Sequence, residues 1–505
     1  MNFIFYIALL LFILLFGSMD VNIDYDFWAR IIVGKTFMQT GVLLHNDFYS
    51  FGSTHEFIDH EWGSGVIFYL VQNCFSDVGL FVFKSLIIFL TFFFIVKTIK
   101  LQNKDSKMCF LIFFFALHAI SYNIFSTIRC QIFSFFFFAY FIYILEYVRI
   151  KREYRLLWTL PVLNILWLNL HGGFVVGLAL IFLYASGEYF NKKPSKYYWI
   201  TLGASCFTVL INPYGIKYIN YIFGAFLLNR THIPEWHSAF FGNSFENQLL
   251  KYKIFFFVAV FSYLIYLFKN ILGKNFKNCV LKIDYTKYLV LFFTFAIALK
   301  SARCHPFFVY ALLIYCYSEI EKFINKYKFQ KPAKIIDIVL FFMIFISTLS
   351  HLYDYKFLNR VNENFYPVNS VEFIKINNLK GNVFTNFHTA SYVIYKLYPN
   401  NHIYMDGRYE EVYDNSLIDN MAKFSLAEDY REFLNHYHFD ILIIDKTYPK
   451  IIEELRKDKN LFLAYEEKQF CVFLPGNLIN KKFIYPQKTQ TDYNKEKFNT
   501  NIDWL

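Results

Sequence analysis

Long apolar runs separated by short polar connections recur along residues 1–352. A transmembrane helix needs about 20 mostly apolar residues, with roughly 17 to 25 tolerated, and about eleven stretches meet or approach that length. They cover residues 1–18, 77–96, 108–125, 131–148, 156–170, 173–189, 197–212, 252–268, 286–300, 304–319 and 335–352. The pattern predicts an all-α polytopic membrane bundle. The first run lacks a basic leader and a small-residue cleavage site, so we expect it to be retained as a span.

Residues 19–76 form a long, mostly acidic connection after the first predicted span. Apolar residues recur there at helical spacing in two stretches: Phe27, Ile31, Gly34 and Met38, then Trp62, Val66, Tyr69 and Leu70. This spacing favours two amphipathic helices at the membrane surface. An extra buried hairpin is the alternative, because short apolar runs discriminate poorly between the two.

The pattern changes after residue 352. Residues 353–505 alternate helix-like and strand-like segments, among them VEFIKINN, NVFTNF, DILIID and FCVFLP, before a polar tail. This alternation predicts a small α/β domain that is separate from the transmembrane domain of residues 1–352.

Composition and charge fit this division. Hydrophobic residues make up 56% of the chain and charged residues 18%, which excludes a soluble enzyme of ordinary composition. The net charge of +11 comes from Lys and Arg in every second loop, and such loops are cytoplasmic by the positive-inside rule. We therefore expect a cytoplasmic N-terminus, an extracytoplasmic 19–76 loop and an extracytoplasmic C-terminal domain. Nucleic acid is not needed to explain the basic excess.

Two other kinds of site lack a sequence signal. The eight cysteines are scattered with no C-x-x-C pair, which argues against a structural zinc site and a disulfide framework. No Walker loop or G-x-G-x-x-G motif is present, so a soluble nucleotide site is unsupported.

Polar residues collect on the predicted outer side of the bundle, where ionisable groups near bilayer depth usually mark function. Carboxylates there can act as general acids or bases, and arginine can bind phosphate. The candidates for catalysis are Asp24, Asp26, Asp59 and Glu61. The candidates for substrate binding are Arg129, Gln131, Asn169, His171, Glu235, Trp236, Arg303 and His305.

Each of these residues also has a structural interpretation. Asp24 and Asp26, or Asp59 and Glu61, could cap helices. The glycines after His171 could form a tight turn, and the two arginines could reach lipid headgroups. A single site is favoured because all of these residues lie on the predicted outer side of the bundle.

At these positions the sequence resembles bacterial polytopic proteins of the C-type glycosyltransferase (GT-C) superfamily. The similar motifs, in chain order, are Asp24, Asp26, Trp28 and Gly34; His60, Glu61 and Trp62; Arg129 and Gln131; Trp167, Asn169, His171, Gly172 and Gly173; Asn212, Pro213 and Gly215; Glu235 and Trp236; Arg303; and Asp406, Gly407 and Arg408. Three positions depart from the family pattern. Cys130 replaces a proline, and Ala29 and Phe57 each replace a tryptophan.

The resemblance implies transfer of a sugar or oligosaccharide from a polyprenyl-phosphate donor to an extracytoplasmic glycan, lipid or protein acceptor. It also implies a multi-pass protein of the bacterial inner membrane, with an acidic residue of the first external loop as base. Asp26, or otherwise Asp24, is our candidate base, and Arg129, Arg303 and His171 would stabilise the leaving phosphate. Asp59, Glu61 or Glu235 would orient acceptor hydroxyls or share a divalent metal, which remains optional. A transporter of lipid-linked sugars and a non-catalytic membrane scaffold are the alternatives.

Overall fold

A computed structural model of the chain describes residues 2–19, 25–52, 56–125, 128–227, 234–238, 240, 250, 252–254, 256–257, 284–326, 330–353, 361–408 and 411–486. The chain divides into two compact units. We call Met1–Val21 with Leu80–Leu358 the helical unit, and Asn22–Gly79 with Asn359–Leu505 the mixed unit. Candidate Asp24 lies outside the described residues.

The helical unit is built from apolar helices joined by short connections. Its helices are Asn2–Met19, Phe110–Ala119, Ser121–Phe125, Gln131–Lys151, Thr159–Leu170, Phe174–Phe190, Lys196–Phe207, Ile216–Leu227, Tyr285–Lys300, His305–Lys326 and Gln330–Tyr353. The long helix Trp62–Gln102 begins in the mixed unit and ends in the helical unit, with a break in helical geometry at Ser76 (φ 56°, ψ −161°).

The predicted spans correspond to helices, but their number as membrane crossings stays a prediction. Every predicted span except 252–268, which lies largely outside the described residues, overlaps a helix. Among the residues described, Trp62–Gln102 and Gln131–Lys151 are long and apolar enough to cross a membrane. Phe3–Ser18, Phe110–Ala119, Phe174–Phe190 and Ile335–Ser350 are shorter apolar helices of 10–17 residues. At 1.5 Å per residue these rise only about 15 to 26 Å.

Polar contacts between helices fix their ends inside the helical unit. The carboxylate of Asp337 accepts hydrogen bonds from the backbone N–H groups of Phe110 (3.1 Å) and Leu111 (2.8 Å). Asp337 therefore caps the helix Phe110–Ala119 from a different helix, since the first N–H groups of a helix have no partner within it. Thr348 similarly donates to the backbone carbonyl of Leu11 at 3.2 Å.

The mixed unit contains a five-stranded sheet in the order β2-β1-β3-β5-β4. Its strands are β1 (Gly381–Phe384), β2 (Asn401–Ile403), β3 (Ile441–Asp445), β4 (Leu461–Glu466) and β5 (Phe470–Pro475). Its helices are Tyr25–Thr40, Val368–Ile376, Phe387–Leu397, Asn415–Ser425, Tyr430–Tyr437 and Pro449–Lys457. β1 pairs in parallel with β2 and β3, whereas β5 runs antiparallel to β3 and β4. The predicted α/β character is confirmed.

The first loop contributes to this sheet. Ile403 at the end of β2 donates its N–H to the carbonyl of Tyr49 and accepts from the N–H of Phe51, each at 3.0 Å. The sequence pattern placed residues 19–76 with the bundle of residues 1–352, whereas the structure groups residues 22–79 with the C-terminal segment.

The helix Tyr25–Thr40 is part of the core of the mixed unit. Residues 27–34 are all buried, and Trp28 packs against Tyr392 and Tyr395 with ring centroids 5.2 and 5.0 Å apart. A helix lying flat on a membrane would keep one face in water, so the expectation of a surface helix is wrong for this segment. Its second face is covered by aromatic side chains of the helix Phe387–Leu397.

Two glycines allow this helix to approach the start of the helix Trp62–Gln102. A Cβ atom on Gly34 would lie 2.1 Å from the carbonyl oxygen of Gly65, and one on Gly65 would lie 2.5 Å from the carbonyl oxygen of Arg30. Only glycine fits at either position without moving a backbone. This approach places Arg30 beside the acidic residues that precede Trp62.

Candidate functional site

A buried group of charged side chains in the mixed unit, which we call the Arg30 cluster, contains Arg30, Asp59, His60, Glu61 and Glu411. Arg30 donates from Nη1 to Asp59 Oδ1 at 2.7 Å and from Nη2 to Glu411 Oε1 at 2.6 Å. Its Nε lies 3.0 Å from Glu61 Oε2. Three carboxylates therefore surround one guanidinium group.

His60 extends the cluster on the side of Glu411. Its Nδ1 lies 2.8 Å from Glu411 Oε1, and its Nε2 lies 3.5 Å from Glu61 Oε1. The backbone N–H of Glu61 donates to Asp59 Oδ1 at 2.8 Å, which fixes the Asp59 side chain. The imidazole thus has a carboxylate near each of its nitrogens.

Burial and neighbouring charges shift the pKa values of these groups in different directions. Burial raises the pKa of Asp59 to about 6, although Arg30 acts in the opposite direction. For His60, burial would lower the pKa, but Glu61 and Glu411 raise it above its usual value. For Glu411, burial would raise the pKa, but Arg30 and His60 lower it. The cluster thus contains Asp59, whose carboxyl group has a pKa of about 6, and Glu411, whose carboxyl group is ionised.

Two carboxylate oxygens of the cluster lack a donor. Within the described parts of the chain, Asp59 Oδ2 and Glu411 Oε2 are buried and accept no hydrogen bond. A buried acceptor without a donor is costly, so such atoms are commonly satisfied by water or a ligand. An O–H or N–H group of a bound molecule would meet this need.

The cluster also contains donors of the type that bind divalent cations. One ligand atom each from His60, Glu61 and Glu411 lies within 4.8 Å of the others. Imidazole and carboxylate suit several divalent metals. Arg30, however, already binds two of these three residues, Glu61 and Glu411.

Asp26, the candidate base, lies in the first turn of the helix Tyr25–Thr40 and is partly exposed. Its neighbour is the Asp406-Gly407-Arg408 turn of the same unit, because a Cβ atom on Gly407 would lie 3.4 Å from Asp26 Oδ1. The backbone of Gly407 therefore lies close to this carboxylate oxygen.

The same turn is held by a fully buried arginine. Arg408 donates from Nη1 to Asp47 Oδ1 at 2.5 Å, from Nε to Asp406 Oδ1 at 2.8 Å and from Nη2 to the Tyr413 hydroxyl at 3.0 Å. Its guanidinium also lies 5.0 Å from the ring centroid of Tyr49. The D-G-R motif is therefore an ion-paired turn that fastens the first loop to the C-terminal segment and sets the position of Gly407.

A second polar group, which we call the Arg129 cluster, lies in the helical unit and contains Arg129, Gln131, Glu235, Trp236 and Arg303. Arg129 Nη1 donates to both carboxylate oxygens of Glu235 at 2.6 Å. Arg303 Nε lies 3.8 Å from Glu235 Oε2, and its guanidinium lies 5.0 Å from the Trp236 ring centroid. With its amide oriented to match, Gln131 accepts hydrogen bonds from Arg303.

Electrostatics in the Arg129 cluster favour an anion. Burial would raise the pKa of Glu235, but Arg129 and Arg303 lower it, so the carboxylate is ionised. Two guanidinium groups and one carboxylate leave a net charge of about +1. Both arginines are about one-quarter exposed, with 24% of each side chain accessible. The cluster can therefore exchange contacts with a phosphate.

The remaining candidates have structural contacts. His171 Nδ1 accepts from the Gly173 N–H at 2.9 Å and bonds Ser134 Oγ at 2.7 Å, which assigns its proton to Nε2. Asn169 donates to the backbone carbonyl of Ile165 at 2.8 Å. His305 is fully buried, and its ring stacks on Tyr252 with centroids 3.4 Å apart.

The structure thus groups Asp59 and Glu61 in one cluster and Arg129, Gln131, Glu235, Trp236 and Arg303 in another. Sequence reasoning missed Glu411, which is not part of the D-G-R motif, and gave no role to Arg30. One signal was present, because Arg30 and Lys35 are the two Lys or Arg residues in the acidic segment 19–76, and Arg30 lies four positions after Asp26.

The fold is similar to that of solved oligosaccharyltransferase structures. The solved structure of the Archaeoglobus fulgidus oligosaccharyltransferase in its apo form is similar, with a TM-score of 0.54 and 10% identity over 87% of this chain and 69% of that one. The oligosaccharyltransferase AglB of the same organism, in complex with an inhibitory peptide and a dolichol-phosphate, is similar with a TM-score of 0.51, 10% identity and the same coverage. No protein-family model and no curated protein sequence matches the chain.

Proposed function

We propose that this protein is a membrane glycosyltransferase that moves a sugar or an oligosaccharide from a polyprenyl-phosphate donor to an extracytoplasmic acceptor. The observation that carries this proposal is the fold, which matches an oligosaccharyltransferase over 87% of this chain. One of the similar structures contains a dolichol-phosphate, which belongs to the same chemical class as the donor inferred from the sequence.

Asp26 is the proposed base. General-base catalysis needs a carboxylate within hydrogen-bond reach of the acceptor proton, and it contributes roughly 10² to 10⁴ in rate. Asp26 is partly exposed and is followed by Arg30 on the same helix face, four positions later. Asp26 Oδ1 faces the Asp406-Gly407-Arg408 turn, so an acceptor hydroxyl or amide held at this turn would lie beside the carboxylate.

The Arg129 cluster is the proposed site for the phosphate of the donor. As the bond between sugar and phosphate breaks, negative charge grows on the phosphate, and preorganised cations stabilise it. Arg303 lies farther from Glu235 than Arg129 does, at 3.8 Å against 2.6 Å, and is also held by Gln131 and Trp236. Its charge is the less neutralised by Glu235, so Arg303 is our candidate for contact with the donor phosphate.

The Arg30 cluster is the proposed support for the acceptor. Asp59 Oδ2 and Glu411 Oε2 need donors, which acceptor O–H or N–H groups would supply. This assignment covers glycan, lipid and protein acceptors alike. The location in a bacterial inner membrane, with the mixed unit on its outer face, is part of the same proposal.

The test is binding and turnover of short-chain polyprenyl-phosphate sugars by the detergent-purified protein, with Asp26→Asn and Arg303→Ala as variants. We expect the wild type to consume a donor, Asp26→Asn to bind it without turnover and Arg303→Ala to bind it more weakly. The matched control is Asp414→Asn, a second carboxylate at a helix N-terminus of the mixed unit. Donor binding without turnover by the wild type would instead favour lipid transport, and absence of both would favour a scaffold.

A further inference from the structure

Arg30 takes the position in its cluster that a metal ion would need. Its three guanidinium nitrogens each lie within 3.0 Å of a different carboxylate, those of Asp59, Glu61 and Glu411. Its side chain is buried, with 7% exposed. The guanidinium is therefore the cation around which these acids are arranged.

A divalent cation held by His60, Glu61 and Glu411 would compete directly with this arrangement. Metal–oxygen bonds are about 2.0 to 2.6 Å long for Mg²⁺ and Ca²⁺, so the ion would share its oxygen ligands with Arg30 at close range. Glu411 Oε1 already accepts from Arg30 Nη2 at 2.6 Å and lies 2.8 Å from His60 Nδ1. An ion bound through Oε1 would displace both contacts, and an ion bound through Oε2 would still meet the positive charge of Arg30.

We propose that Arg30 is the resident cation of this cluster and that the cluster holds its acids in place without a divalent metal ion. Arginine suits this role because its planar guanidinium is always charged and presents five N–H donors in a fixed fork. Arg30 acts as a positioning residue. By binding one oxygen of Asp59 and one of Glu411, it leaves Oδ2 and Oε2 for another donor.

This inference stands on the geometry of the mixed unit and does not depend on glycosyl transfer. The test is titration of the untagged, full-length protein in detergent with MnCl₂ at neutral pH, with free Mn²⁺ followed by electron paramagnetic resonance. We expect the wild type to show no stoichiometric site at micromolar Mn²⁺. The variant Arg30→Met, which keeps the bulk of the side chain but removes its charge, should bind Mn²⁺ at least tenfold more tightly, and Mn²⁺ should raise its melting temperature.

The matched control is Arg408→Met. It also removes a buried arginine of the mixed unit, but among the described residues the carboxylates paired with Arg408 are those of Asp47 and Asp406, so we expect no gain in Mn²⁺ binding. Adding Glu411→Gln to Arg30→Met should abolish the gained site. If the wild type binds one Mn²⁺ at micromolar concentration and Glu411→Gln loses it, the proposal is overturned. This comparison needs no Arg30 variant, and circular dichroism below the melting temperature of Glu411→Gln establishes that this variant is folded when Mn²⁺ is added.

Discussion

Arg30 and Glu411 are 381 positions apart in the sequence, and Arg30 Nη2 donates to Glu411 Oε1 at 2.6 Å. Both side chains are buried, with 7% and 2% exposed. This pair joins the first loop to the C-terminal segment within the mixed unit. Its loss would leave Arg30 with two carboxylate partners, those of Asp59 and Glu61.

Glu411→Gln should therefore destabilise the mixed unit. Removing one partner of a buried ion pair costs about 3 to 5 kcal/mol when the other charge is left uncompensated. Arg30 keeps Asp59 and Glu61, so we expect a loss of stability below that range. Thermal unfolding of the detergent-solubilised protein checks this expectation. Glu454→Gln is the control, since Glu454 forms an exposed pair with Lys457 and its change should not alter the melting temperature measurably. Equal melting temperatures for Glu411→Gln and wild type would contradict the role given to this pair.

Gly34→Ala should destabilise the protein and displace Arg30 from Asp59. The new methyl group would lie 2.1 Å from the Gly65 carbonyl oxygen, and a backbone cannot yield as a flexible side chain can. Gly203→Ala is the matched control, because nothing lies within 4 Å of a Cβ atom at that helical position. There, alanine should stabilise the helix by up to about 1 kcal/mol. The melting temperatures of the two variants should move in opposite directions from that of the wild type.

The stability of the mixed unit should depend on the protonation of Asp59. Its pKa is raised from 3.8 to about 6, so the folded state holds this proton more tightly than the unfolded state does. The wild type should therefore gain stability relative to Asp59→Asn as the pH falls from 7 through 6 toward 4, and lose it as the pH rises. The change is on the order of 2 to 3 kcal/mol.

Melting temperatures of both proteins across this pH range provide the measurement. Groups that do not interact with Asp59 titrate alike in both proteins, so the difference between the two curves reports Asp59 together with its coupling to Glu411 and His60. A difference that stays constant between pH 7 and pH 4 would show that Asp59 is not the group with the raised pKa.

Arg303→Ala should weaken donor binding and leave folding and expression largely unchanged. Loss of one charge-assisted hydrogen bond costs about 1.5 to 3 kcal/mol, which corresponds to a rise of roughly 10- to 100-fold in the donor KM. Arg155→Ala removes an exposed arginine of the helical unit and serves as the control. An unchanged KM in Arg303→Ala would remove Arg303 from the phosphate site.

The helices and the α/β segment could be predicted from the sequence because they depend on local pattern. Apolar runs marked the helices of the helical unit, and buried strands such as Ile441–Asp445 stood out as short β-branched runs. The surface position expected for the helix Tyr25–Thr40 was wrong. The apolar spacing in the sequence marked only one face of this helix for burial. Its other side is covered by Tyr392 and Tyr395, which come from a distant part of the chain.

The candidate site was predicted in part. Motif order indicated Asp59, Glu61, Arg129 and Arg303, but not which of them pair. Glu411 carried no local signal, since it is the second of two adjacent glutamates after the D-G-R turn and the sequence does not distinguish such acids from surface residues. Only the folded structure brings it to Arg30.

The division of the mixed unit between two distant segments has a consequence for its synthesis. Arg30 leaves the ribosome 381 residues before Glu411, which at 5 to 20 residues per second is about 20 to 80 seconds. Through that interval Arg30, Asp59 and Asp47 have no partners from the C-terminal segment, and β2 is not yet made. Until the last third of the chain emerges, residues 19–76 lack their contacts with that part of the chain, among them those of Arg30 with Glu411 and of Asp47 with Arg408.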